Sequence, residues 1–198
     1  MNKAILATAL VSMLSAGSAM AGVQGGQINF HGLVSDTTCS KVVSTARGNE
    51  TTDGNVYLQT AAPADITDGI QAASYGAKAE PFTIVLNCEG AADVTSTTKA
   101  KLTMDSSFSN SKGTLNNDEN LVVSGVNAAG NVNIAIHDDT SGTPTQMKVD
   151  GSDVHEATFD ANKVATYNFT ASYVKADATK DVTSGHVTTN AMYTFTYN

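Results

Sequence analysis

GGQINFHGLVSDTTC, Gly25 to Cys39, reads as extended chain along its whole length, with no strong turn signal inside it. Strands usually run about five or six residues, so this stretch is long enough for two. In an extended chain Gly26, Ile28, Phe30 and Gly32 share one face, and Gln27, Asn29 and His31 share the other. That first face is two apolar knobs framed by residues with no side chain. Leu33 and Val34 then break the alternation, and Val34 to Cys39 reads as a separate strand leading into a cysteine. The stretch therefore divides into an arm and the first strand of a domain. By composition alone, the arm could fold back onto its own domain or fray. Left exposed, Ile28 and Phe30 would be an aggregation liability, so a groove in another molecule is the alternative.

Upstream of the arm, Lys3, the apolar run AILATALVSML and the small-x-small triplet Ala19-Met20-Ala21 read as a secretory signal, residues 1–21. The run is too short to cross a bilayer comfortably. Cleavage after Ala21 would leave residues 22–198, with an arm over 22–32 and a single domain over 33–198. Without Lys3 that product carries 10 basic and 19 acidic residues. It has no cluster of Lys and Arg of the kind that contacts phosphates, so nucleic acid is not an expected partner. The acidity suits solubility outside the cytoplasm.

Cys39 and Cys88 are the only cysteines in the sequence. In an oxidising compartment a lone pair reads most simply as a disulfide. A reactive thiol or a metal site is the alternative, and neither a CxxC spacing nor a neighbouring His supports it.

Downstream, apolar residues alternate with polar ones between clusters rich in Asn, Asp, Ser and Gly, the pattern of an all-β sandwich of immunoglobulin-like type. Strands are expected at Gly54–Leu58, Pro81–Cys88, Ala100–Met104, Asn131–His137, Val164–Val174 and Val187–Tyr197. Loops are expected at Ser106–Asn120 and His137–Pro144, with a helical turn somewhere in Ala61–Gly76. In the last strand Tyr193, Phe195 and Tyr197 share a face. His31, His137, His155 and His186 lack ligand spacing, and the acidic turns at Asp138-Asp139 and Asp150–Asp153 do not match a calcium loop. No nucleophile elbow, zinc-protease motif or phosphate-binding glycine loop occurs. No catalytic residue, metal or cofactor is expected.

In its order of motifs the chain resembles the structural pilins of chaperone–usher fimbriae, similar to the major subunits of type 1 fimbriae. The resemblance rests on Gly25-Gly26-x-Ile28-x-Phe30-x-Gly32 followed by Thr37-x-Cys39, on Cys88 closing PFTIVLNC, and on GTLNN and NVNIAIHDDTSGTP. The penultimate Tyr197 and Gly185, fourteenth from the last residue, complete it. The resemblance implies an incomplete immunoglobulin-like sandwich, completed by a donor strand from another subunit. Gly26, Ile28, Phe30 and Gly32 would be donated, with Gly26 where the arm crosses a crowded part of the groove. Gly185, Tyr193, Phe195 and Tyr197 would belong to the acceptor groove. It also implies a periplasmic chaperone, an outer-membrane usher and neighbouring copies as partners, with export to the cell surface as part of an attachment filament. A receptor-binding fimbrial subunit, contacting a host receptor through its loops, and a monomeric secreted binding module are the rival readings.

Overall fold

The computed structural model describes residues 39–47 and 53–197. The arm residues Gly26, Ile28, Phe30 and Gly32, the signal sequence and most of the strand expected at Val34–Cys39 lie outside the described residues. Among those described, nine β-strands are accompanied by one 3-10 turn, Pro63–Asp65. No described helix is long and apolar enough to cross a membrane. In chain order the strands are β1 (Ser40–Thr45), β2 (Ala77–Asn87), β3 (Lys99–Asp105), β4 (Leu115–Asn116), β5 (Val132–Asp138), β6 (Thr145–Met147), β7 (His155–Thr158), β8 (Val164–Lys175) and β9 (Met192–Tyr197).

Pairing is antiparallel between all of them. One sheet runs β1-β2-β8-β5, with β4 and β6 in series along the outer edge of β5, and the other runs β7-β3-β9. Period-two alternation explains which face turns inward. In β3, Ala100, Leu102 and Met104 are buried while Lys99 is exposed. In β8, Tyr167, Phe169 and Ala171 point into the same core. Ring contacts then tie the two sheets together. Phe82 of β2 stacks on Phe169 at 5.4 Å between centroids, Tyr167 lies 6.3 Å from Phe169, and Phe195 of β9 meets Tyr167 at 5.7 Å. Burial lifts the Tyr167 phenol well above its ordinary range, so it stays neutral.

Alternation fails where both faces are covered. Asn133, Ala135 and His137 of β5 and Thr170, Ser172 and Val174 of β8 turn away from the core yet are buried. The segment Gln71–Gly76 covers His137 and Ser172, while Asn133 Nδ2 donates to Thr114 Oγ1 at 3.0 Å. The Gln71 carbonyl is 2.8 Å from His137 Nε2, and the Gly76 N–H donates to Ser172 Oγ at 2.9 Å. A Cβ on Gly76 would come within 2.1 Å of the Tyr173 carbonyl oxygen, so only glycine permits this approach.

Cys39 and Cys88 form a disulfide (Sγ–Sγ 1.99 Å) one step beyond the Ser40–Asn87 pair, stapling the end of the β1–β2 ladder. Pro81 sits inside β2, where a missing N–H is usually costly. It is tolerated because β1 stops at the Thr45–Phe82 pair, leaving Pro81 paired only with Thr170 of β8.

Two expected strands differ. Gly54–Leu58 is extended chain outside any ladder, and the last strand begins at Met192 rather than Val187. Residues 187–191 leave β3 behind, since its register ends at the Asp105–Met192 pair.

At the edge formed by β5 and β7, Asp138 Oδ2 hydrogen-bonds His155 Nδ1, linking the two sheets, and Oδ1 accepts from the Thr140 N–H. Burial would raise the Asp138 carboxyl, but the hydrogen bonds from His155 and Thr140 outweigh it and hold it below its ordinary 3.8. A carboxylate depressed in the fold adds stability above its ordinary value and loses that contribution as pH falls through the depressed one. Urea unfolding at pH 7, 4 and 3 should therefore show Asp138→Asn less stable than the parent at pH 7. The gap should narrow as pH falls below the ordinary 3.8, and a gap as wide at pH 3 as at pH 7 would refute the assignment.

Candidate functional site

The sandwich is open along one side. There β1 and β9 are the last strands of their sheets, and no strand of the described residues joins them. The gap is a cleft of about 530 Å³ with the core as its floor: Phe82, Ile84, Ile134 and Ile136 all line it. One wall is the extended segment Gly54–Ala61. Among the described residues no backbone–backbone hydrogen bond is made by this segment. Thr45 Oγ1 of β1 donates to its Asn55 carbonyl at 3.4 Å. The other wall is Val187–Ala191 running into Tyr193.

Beyond the first chamber lies a second, of about 510 Å³, lined by Ile66, Ala129, Val132 and Val182 among others. Leu58, Tyr173 and Val187 line both, so the two chambers form one groove. Burial raises the Tyr173 phenol, which keeps this shared floor residue neutral and the groove free of charge at its centre. At the β1 end, Lys41 Nζ sits 4.8 Å from the centre of the Tyr193 ring and 3.8 Å from Asp53. These exposed contacts bring the walls together at low energy, on the order of 1 kcal/mol or less each.

An extended peptide is the ligand shape that this arrangement can take. Alternate side chains would enter the chambers, and backbone groups would meet the wall segments. Polar atoms in the wall remain to be satisfied: both ring nitrogens of His186 and Thr189 Oγ1 are buried without a hydrogen-bond partner.

Of the residues expected at the groove, Tyr193 lines the first chamber and Gly185 the second. Phe195 lines neither chamber. Phe195 packs inward on Tyr167, and Tyr197 pairs with Ala100 in the β3 ladder. The difference has a simple cause, since residues sharing a strand face follow the sheet into the core as it leaves the gap. Sequence reasoning did not assign Val56, Leu58, Ile66, Val182 or Val187 to the groove. Its one available signal was the apolar pair Val56 and Leu58 in GNVYL, an alternation that the fold leaves outside any ladder. His137, Asp138 and Asp139 are engaged in internal bonds, to Gln71, His155 and Thr170 respectively. Among the described residues no group of three or more potential metal ligands occurs.

The profile of the fimbrial protein family matches residues 28–198. The chain belongs to that family. No curated protein matches this fimbrial chain. Among solved structures, a subunit of a chaperone–usher pilus, studied for rod uncoiling, is 20% identical with a TM-score of 0.55, over 88% of this chain and 96% of that one. The antigen and type I fimbria protein of Burkholderia pseudomallei is 20% identical, with a TM-score of 0.48, over 81% of this chain and 99% of its own. A tip adhesin of Pseudomonas aeruginosa is 17% identical with a TM-score of 0.45 over 63% of this chain. The fimbrial chain spans 32% of that adhesin's length. The pilus-subunit match shows the shared all-β fold.

Gly185 gives the groove wall its testable feature. A Cβ there would lie 2.3 Å from the Ala129 nitrogen and 2.5 Å from the Asn127 carbonyl oxygen, backbone atoms that cannot swing aside. Gly185→Val should cost at least about 2 kcal/mol in chemical denaturation. Gly90→Ala, whose Cβ meets nothing within 4 Å, is the matched control and should be neutral. Equal stability of the two variants would show that the wall can move.

Proposed function

We propose that this fimbrial protein is a non-enzymatic structural subunit that polymerises by donor-strand exchange. The groove between Gly54–Ala61 and Val182–Tyr193 accepts an arm, residues 22–32, from a neighbouring copy. Ile28 and Phe30 enter the chambers, and Gly26 and Gly32 let the arm pass where a side chain would crowd the walls. The observation that carries this reading is the open apolar groove, flanked by an extended segment that has no described ladder partner.

The energetics support the exchange. Burying Ile28 and Phe30 contributes about 1.5–3 kcal/mol each, and each new backbone hydrogen bond adds roughly 1 kcal/mol net. Antiparallel pairing with β9 is slightly more stable per residue than parallel and is the commoner geometry. It would set the first residues of the arm beside the end of β9, and Gly32 beside Val187. Donor and acceptor surfaces differ, so the contact is heterologous and repeats without closing, giving a fibre.

Before assembly the groove needs a temporary occupant. Strand addition by a periplasmic chaperone is the known mode of chaperone–pilin complementation, and an outer-membrane usher is the place of exchange. The subunit thus passes through the periplasm to a fimbrium at the cell surface, where the filament supports adhesion.

A synthetic peptide of residues 22–34 tests the reading on a chain that lacks residues 1–32. The peptide should raise the midpoint of thermal unfolding. A Phe30→Asp peptide should bind about 10–100-fold more weakly, the loss expected from one buried side chain. No stabilisation by the parent peptide would overturn the proposal.

A further inference from the structure

The largest exposed apolar cluster of the described residues belongs to none of these roles. Leu121, Val122, Val123 and Val126 are 37%, 57%, 43% and 52% exposed. They form a hairpin tip, not a loose loop. Val123 and Val126 exchange both backbone bonds, at 3.1 and 2.9 Å, around Ser124 (φ +51°) and Gly125 (φ +80°). Two positive φ values in a two-residue loop mark the turn type whose twist matches paired strands. The base of the hairpin is clamped to the groove wall on both sides. The Asp118 N–H donates to the Thr188 carbonyl at 2.9 Å, and the His186 N–H to the Asn127 carbonyl at 3.1 Å.

We infer that this hairpin is a second subunit–subunit contact, packing against the globular body of the copy that donates its arm. The inference rests on the donor-strand reading above. With the arm antiparallel to β9, its last residue, Gly32, leaves the groove beside Val187, between the residues that hold the hairpin base. Only residues 33–38 then separate it from Cys39, where the donor's disulfide-stapled body begins. Gly32 to Cys39 is seven steps of extended chain, at most about 25 Å. The donor's body is thus tethered within about 25 Å of Val187, where the base of the hairpin is held. Four exposed apolar side chains on one hairpin are costly in water and mark an interaction site. A contact outside the groove would hold successive bodies at a fixed angle, so the hairpin governs the stiffness of the filament while the arm governs its continuity.

Two measurements on the full chain test this. First, filaments carrying a photo-cross-linking amino acid at position 122 should yield inter-subunit products mapping to residues 40–197 of the neighbouring copy. Cross-links confined to the arm, or none between subunits, would overturn the inference. Second, the double variant Val122→Asp, Val126→Asp should be stabilised by the residue 22–34 peptide as the parent is, yet assemble filaments whose persistence length in electron micrographs is reduced at least threefold. Filaments as stiff as the parent's would also overturn it. If the double variant does not fold, the cross-linking result decides. Failure of the donor-strand reading would appear separately, as parent protein that neither gains stability from the peptide nor polymerises.

Discussion

A strand position that the described residues leave unfilled governs this molecule. A sheet edge presents backbone donors and acceptors that must find partners, and an apolar core must be covered on every side. Here neither demand is met by the described chain along the gap between Gly54–Ala61 and Val187–Tyr193. The floor of that gap is the core itself, so whatever fills it completes the packing and the hydrogen bonding together. A single inserted segment can meet both demands, because an extended strand has side chains on one face and ladder groups along its edges.

The remainder of the fold keeps that gap open without collapse. The aromatic contacts from Phe82 through Phe169 and Tyr167 to Phe195 hold the sheets together from within. On the far side, Asp138 and His155 link β5 to β7, and Gln71–Gly76 seals the outer surface of β5 and β8. The Cys39–Cys88 bond fixes one end of β1, the strand that borders the gap. Shortening the loop available to the unfolded chain is worth about 4 kcal/mol in loop-entropy terms, useful to a sandwich whose core is part-covered.

Strands whose alternation is local were legible in advance. Ala100, Leu102 and Met104, or Tyr167, Phe169 and Ala171, announce an inward face by spacing alone, because period two is a property of the backbone. Val187–Ala191 misled for the same reason: the residues continue a strand-like pattern, yet β3 has no further register to offer them. Thr188 turns instead toward Asn117 and Asp118, its N–H donating to Asn117 Oδ1 and its carbonyl accepting from the Asp118 N–H. Phe195 was expected in the groove on the strength of sharing a face with Tyr193. The sheet carries that face from the gap into the core within a few residues.

The all-β class, the cysteine pair and the inward faces of the long strands are properties of neighbouring residues, and reading the chain suffices for them. The groove is different. Its walls come from residues near 56, 66, 129 and 185, and nothing in any one of those segments marks it as facing the others. Strand pairing is a long-range choice made by the fold, so only the tertiary structure could decide which edge was left without a partner.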